Sequence, residues 1–291
     1  MTDRLPLVRR LLLVPVAVLL ALAPSVAASA QSLAPQQAQA MVSQALDQEL
    51  RMAQDTTHPM RYRLRKSSPR LATTKDIVET SQGFVARLIA VNDRPLSPID
   101  EQHEQGRLDA LLSDPTLQRH RKQGEDADQA IVLKLLRMLP QAFLYQYAGL
   151  GAGSAGPVQK FNFWPNPRFN PPDLETQALT AMTGQLWVDA AEGRVVRLEG
   201  HLQQDTNYGW GLLGKLDKGG WVLLEQADVG NHQWRITHVK LQMNLRIVIK
   251  NKSFDTDETM SQYQPVPAGI DYRQAIQMLR TAPPTVAQLT R

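Results

Sequence analysis

The segment QWRITHVKLQMNLRIVIK, residues 233–250, constrains the fold more than any other part of the chain. Trp234, Ile236 and His238 fall on even positions, whereas Val239, Leu241, Met243, Leu245, Ile247 and Ile249 fall on odd ones. Period-two alternation marks a strand with one apolar face, and the loss of one residue of phase near His238 marks a β-bulge. Six apolar side chains on one face form a strip about 35 Å long at the usual strand rise. Few globular cores need so long a strip from one strand. An antiparallel sheet curved over helices does, and a bulge helps it bend.

The remaining text fits such a sheet. MRYRLRK (60–66), TKDIVETS (74–81) and GFVARLIAV (83–91) alternate as strands, and strand-like sequence resumes near Ala142. Asp189–Gly193 is expected to be a hairpin loop whose glycine takes the left-handed conformation. The strand after it places Val196, Leu198, Gly200 and Leu202 on one face and Arg197, Glu199 and His201 on the other. Helical patterns gather in the first half. Ala38, Met41, Val42, Ala45 and Leu46 form a one-sided stripe. Ser97-Pro98 with Asp100 and Glu101 in the first turn is a helix start, and Pro115 is expected to interrupt the helical pattern behind it. A third helix is expected from Asp128 to Met138, stopped by Pro140, with Ile131, Leu135 and Met138 on a core-facing side flanked by Val132 and Leu136.

The N-terminus bounds the compartment. Arg4, Arg9 and Arg10 precede the apolar run LLLVPVAVLLALA and then Ala28-Ser29-Ala30, the three parts of a secretory signal cleaved after Ala30. The expected product is a soluble periplasmic chain, residues 31–291, forming one domain. With no cysteine in the sequence, disulfides, thiolate metal sites and an acylated N-terminal cysteine are excluded. The net charge is +4, from 32 basic and 28 acidic residues; the signal's three arginines and one aspartate leave 29 against 27, which predicts no nucleic-acid partner.

The stretch GAGSAG, residues 151–156, matches the spacing of a dinucleotide loop. Pro157 comes directly after it, and the chain continues as VQKFNFWPNPRFNPP, a short strand and then an irregular loop instead of a helix. Without a helix N-terminus to receive a pyrophosphate, no nucleotide and no other cofactor is expected.

Strand order and turn placement in GQLWVDAAEGRVVRLEGHL, in GLLGKLDKGGWVLLEQADVGNHQW and in YQPVPAGIDYRQAIQML resemble the LolA/LolB superfamily of periplasmic lipoprotein carriers. The resemblance covers roughly residues 178–280, and more loosely the strands at 60–92. It implies an α+β fold in which about ten antiparallel strands form an open half-barrel, with helices plugging an apolar concave face that shelters acyl chains. Two segments depart from the family pattern, a helical, charged insertion at about 93–140 and the loop WPNPRFNPPDLETQ.

Other constellations carry less. His232 and His238 are six apart on one strand, about 20 Å, too far to share a metal. Asp255, Asp257 and Glu258 are expected in a polar turn, and Arg61, Arg63 and Arg65 on a solvated strand face. No G-x-S-x-G elbow occurs. Trp187, Trp210, Trp221 and Trp234 accompany the C-terminal strands, suited either to a core or to a hydrophobic cavity. The expectation is a non-enzymatic binder or carrier of lipid or of an acylated lipoprotein. Its cavity would be lined by Val196, Leu198, Leu202, Trp221, Leu241, Met243 and Leu245, with no metal. The alternatives are an envelope-stress regulator docking a protein through the same sheet and, third, an extracytoplasmic hydrolase.

Overall fold

The computed structural model describes residues 33–208, 214–247 and 250–281; the signal, Trp210 and Ile249 lie outside them. Thirteen strands form one antiparallel sheet with helices on both of its faces.

Helix α1 (Pro35–Ala53) starts on a proline in its first turn and buries Ala38, Val42, Ala45 and Leu46, the stripe expected from the sequence. Helix α2 (Pro98–Ser113) is capped by Ser97, whose hydroxyl accepts from the Asp100 amide at 3.2 Å.

Helix α3 runs from Pro115 to Ala142, far beyond the expected 128–138. Two local reasons account for the difference. Pro115 occupies the first helical turn behind the Asp114 cap, where a proline favours a start instead of an interruption. Pro140 stands in the last turn, where its missing N–H removes one hydrogen bond near the end of the ladder, and its carbonyl accepts from Gln39 Nε2 at 2.7 Å. The expected core face of α3 is only partly buried. Leu135, Leu136 and Met138 are half-buried against the main core, but Ile131 and Val132 are 40% and 52% exposed.

The strand order is β4-β3-β2-β1-β13-β12-β11-β8-β7-β6-β5, an open path with two free edges, and β9 and β10 extend it beside β12. These are β1 (Met60–Ser67), β2 (Ala72–Val78), β3 (Val85–Val91), β4 (Arg94–Pro95), β5 (Phe143–Ala152), β6 (Pro157–Pro165) and β7 (Met182–Asp189). They are followed by β8 (Val195–Leu202), β9 (Thr206–Tyr208), β10 (Gly214–Leu216), β11 (Trp221–Asp228), β12 (Trp234–Ile247) and β13 (Lys250–Pro265). The count exceeds ten because β4, β9 and β10 are two or three residues long, too short to show a period in sequence.

GAGSAG closes the β5–β6 hairpin: Ala152 pairs with Pro157, and the Gly153 amide donates to the Gly156 carbonyl at 2.7 Å. Asp189–Gly193 turns β7 into β8, with Gly193 at φ +67°. The acidic run at 255–258 is not a turn; it lies inside β13, where Asp257 meets His238 and Glu258 meets Lys66. Those cross-strand partners are invisible in the local sequence.

Two bulges set the faces. On β12, Glu225 pairs with His238 and Gln226 with Ile236, so Thr237 is the extra residue, beside the expected slip. On β8, Trp187 pairs with Arg197 and Val188 with Val195, which leaves Val196 unpaired. Val195, 4% exposed, therefore takes the core position expected for Val196.

The helices do not all share one side. Helices α1 and α3 pack with Phe161, Leu186, Leu202 and Tyr145 in the larger core cluster, which defines the inner face of the sheet. Helices α2 and α5 (Tyr272–Thr281) pack with Val78 and Val85 in a second cluster. Val78 alternates with Ile77, which pairs with Tyr62, so α2 and α5 back the opposite face at the β1–β3 end. That arrangement overturns the solvated arginine stripe. Arg63, 7% exposed, binds Asp76 on the same face, Arg61 shares that carboxylate, and Arg65 pairs with Asp93 near the surface. Helix α2 also covers the edge of β3, as Glu104 accepts from the Leu88 amide at 2.9 Å and Arg107 donates to the Ala86 carbonyl.

Candidate functional site

Directly paired residues of an antiparallel sheet share a face, so the inner face can be traced strand by strand. One row runs Phe161, Leu186, Leu198, Leu224, Val239 and Glu258; the next runs Gly184, Gly200, Val222, Leu241 and Thr256. Beyond β13 the face continues through Met260 to Leu64, then to Lys75 on β2 and Leu88 on β3.

Burial changes along this face. At the β5–β8 end α1 and α3 close it, and Phe161 and Leu186 are fully buried. In the middle Leu64, Leu224, Val239, Leu241 and Met260 are half-buried and belong to neither core cluster, and Ile236 is 37% exposed. On β13 Thr256 and Glu258 interrupt this apolar surface, which Met260 continues beside Val239, and among the described residues neither core cluster covers it, the condition under which an exposed patch marks a binding groove.

Of the residues expected to line a cavity, Leu198, Leu202, Leu241, Met243 and Leu245 project from the inner face. Leu202 is 2% exposed and part of the core, while Leu198, Met243 and Leu245 pack half-buried against its border. On β12 the exposed Gln242, Asn244 and Arg246 alternate with the half-buried Leu241, Met243 and Leu245. Val196 leaves the group because of the β8 bulge. Trp221 leaves it because it pairs with His201 and Gln242 on the opposite face, where it stacks on His201 and lies under Lys240. Val222 and Leu224 occupy the inward positions of β11 instead. Sequence reasoning missed Tyr62, Leu64 and Met260, although the alternation of Tyr62 and Leu64 with the arginines of β1 carried the signal.

The β1–β3 end of the inner face is closed by the first half of α3. Gln118 Nε2 donates to the Gln82 carbonyl at 2.9 Å, and Glu125 accepts from the Phe84 amide at 3.0 Å. Tyr62 stacks on Tyr263 at 5.1 Å, and the Tyr263 hydroxyl donates to the Ile236 carbonyl. Burial pushes both phenols well above their ordinary range. Burial also raises the carboxyls of Glu79 and Glu125. Lys75 is pushed down, first by burial and then by the charges of Arg107 and Arg121.

A separate cluster joins two hairpin tips. Ligand atoms of Glu192, Asp228 and His232 lie within 4.8 Å of one another. Internal partners already satisfy them. Glu192 accepts from Trp234 Nε1 at 2.7 Å and meets His232 Nδ1 at 2.8 Å, and Asp228 accepts from the Gly230 amide. The arrangement is a lock between the β7–β8 and β11–β12 turns. His238 is not part of it; it bridges Glu225 and Asp257 on the face opposite the apolar strip.

No family model and no curated protein matches the chain. Among solved structures, a domain from Vibrio parahaemolyticus assigned as an outer membrane lipoprotein-sorting protein domain is similar to it. The two are 10% identical, the match covers 84% of this chain and 98% of that one, and the TM-score is 0.32. At that score the superposition is loose, and the half-barrel of this chain is defined by its own strand pairing.

Proposed function

We propose that this chain is a non-enzymatic binder of acyl chains, those of a lipid or of an acylated protein, on the inner face of the half-barrel. One observation carries the reading: Leu64, Leu224, Val239, Leu241 and Met260 form an apolar strip that neither core cluster absorbs. A packed domain has no use for a half-wetted strip of this length, whereas a hydrocarbon chain laid along it completes its burial. At about 0.8 kcal/mol per methylene, a chain of about sixteen carbons supplies on the order of 10 kcal/mol before the costs of ordering. Leu198, Met243 and Leu245 border this strip and belong to the reading. Strand order and turn placement like those of the lipoprotein carriers, and a secretory signal in residues 1–30, support a role in the periplasm.

The test compares neighbours on β12. Titration with a fluorescent fatty acid is expected to show saturable binding that Leu241→Glu weakens at least tenfold and Gln242→Glu leaves unchanged, with both variants melting close to the parent. Leu241 is suited to this because it lies outside both core clusters. Absence of saturable binding, or equal losses in the two variants, would refute the reading.

A further inference from the structure

The β2–β3 end of the inner face gathers Lys75, Arg107 and Arg121, and of these Arg107 is paired, with Glu104. Lys75 projects from β2 opposite Leu64 and Leu88, and among the described residues no carboxylate pairs with it. Arg107 reaches the same place from α2. Its guanidinium donates to the carbonyl of Ala86, two residues along β3 from the Leu88 that faces Lys75, and is held by Glu104 at 2.6 Å. Arg121 approaches from α3. Its Nη2 makes a long contact, 3.5 Å, to the Phe84 carbonyl, and its Nε is buried with no hydrogen-bond partner.

Nearby carboxylates are otherwise engaged. Glu104 binds Arg107 and the Leu88 amide, Glu258 binds Lys66, and Glu125 accepts from the Phe84 amide. Lys75 and Arg121 are both half-buried. Burial first, then Arg107 and, at Lys75, Arg121, works against the charged form of each, opposed by Glu104 at both and by Glu125 at Arg121. Bringing like charges together away from water costs free energy unless an anion arrives to balance them. A buried guanidinium N–H without an acceptor adds to that demand.

We infer that Lys75 and Arg121, supported by Arg107, form a binding site for a phosphate-type oxyanion at the end of the apolar strip. The ligand class is an anionic amphiphile, its chains on Leu64, Met260 and Leu241 and its head at Lys75. This rests on the acyl-chain reading for the chains but not for the anion. From Lys75 on β2 to Leu241 on β12 is three strand spacings across and four residues along the sheet, roughly 19 Å in all, so a long acyl chain reaches both while a short one lies on Leu64 and Met260.

The test uses three probes on the full chain by calorimetry: dihexanoyl phosphatidic acid, the diacylglycerol with the same chains, and inorganic phosphate. The phosphatidic acid is expected to bind at least tenfold tighter than the diacylglycerol. In Lys75→Gln and Arg121→Gln that preference disappears while diacylglycerol affinity stays within about twofold. Lys75→Gln is also expected to raise the melting temperature of the free protein, since it removes an unbalanced charge; a lysine with an internal partner would lower it. Binding of phosphate alone, lost in Lys75→Gln, would identify a free anion as the source and keep the site even where neither lipid binds, which would sink only the acyl-chain reading. Equal affinity for the two lipids together with no response to phosphate overturns the site, as does a melting temperature lowered by Lys75→Gln.

Discussion

One buried ion pair joins α1 to the sheet beside its apolar stripe, and its removal has a calculable cost. Glu49 continues the buried stripe of α1 by one turn, and its carboxylate accepts from Arg194 Nε and Nη2, both at 2.8 Å, and from the Val195 amide at 3.0 Å. The side chains are 11% and 4% exposed, and the guanidinium lies 5.5 Å from the Trp234 ring. Glu49→Ala leaves a buried cation and a buried amide without acceptors. Breaking one side of a buried pair costs about 3–5 kcal/mol. In a domain of this size each kcal/mol moves the melting temperature by about 2–4 °C, so a fall of roughly 6–20 °C is expected. Glu49→Gln keeps an acceptor for the amide and should lose about half as much. Arg194→Met alone strands the carboxylate, so the cycle Glu49→Ala, Arg194→Met and both together should show a coupling of about 2–3 kcal/mol. Urea denaturation with constant m supplies the free energies. A loss below about 1 kcal/mol in Glu49→Ala, or strictly additive single variants, would mean that the pair is solvated and does not anchor α1.

Two glycines give opposite expectations. A Cβ at Gly184 would lie 1.8 Å from the Glu199 carbonyl oxygen, so Gly184→Ala should cost about 2–3 kcal/mol or prevent folding, measured by denaturation or by soluble yield. Nothing lies within 4 Å of the corresponding position at Gly106, inside α2, where alanine should stabilise by about 0.5–1 kcal/mol. Asp173 should contribute stability that acid removes. Hydrogen bonds from Lys134 and the Thr176 amide hold its carboxyl down at about 2, against 3.8 when unfolded. Because the folded value is the lower one, its stabilisation is complete above about pH 4 and lost as pH falls towards 2. Melting curves of Asp173→Asn should therefore lie below the parent at pH 5 and meet it near pH 2; a constant gap across that range would contradict the assignment.

Local periodicity made much of this molecule legible. Side chains alternate along any strand, so the apolar face of Leu241, Met243 and Leu245 and the slip before Val239 could be read without knowing any partner, and Thr237 is the bulge that the slip required. The one-sided stripe of α1 was equally local. That GAGSAG is a loop and not a dinucleotide site was legible in VQKFNFWPNPRFNPP behind it, which reads as a strand and then a proline-rich loop, not as the helix a pyrophosphate needs.

The sequence left open the choices between two locally equivalent readings. In WVLL, both Trp221 with Leu223 and Val222 with Leu224 are apolar, and only pairing with Leu241 and Leu198 turned the second pair inward. In VVRL, either valine could lead the strand, and the bulge opposite Val188 decided for Val195. The arginines of β1 alternate as a wet face would, yet Arg63 is buried and its guanidinium is held by Asp76 on the next strand. Lys75, Arg107 and Arg121 lie far enough apart in sequence that nothing marks them as neighbours until β2, α2 and α3 meet at the sheet edge. Alternation is fixed by the geometry of a single strand, and the chain carries it wherever it goes. Which side becomes dry depends on what packs there, and that is decided only when distant segments compete for the same surface.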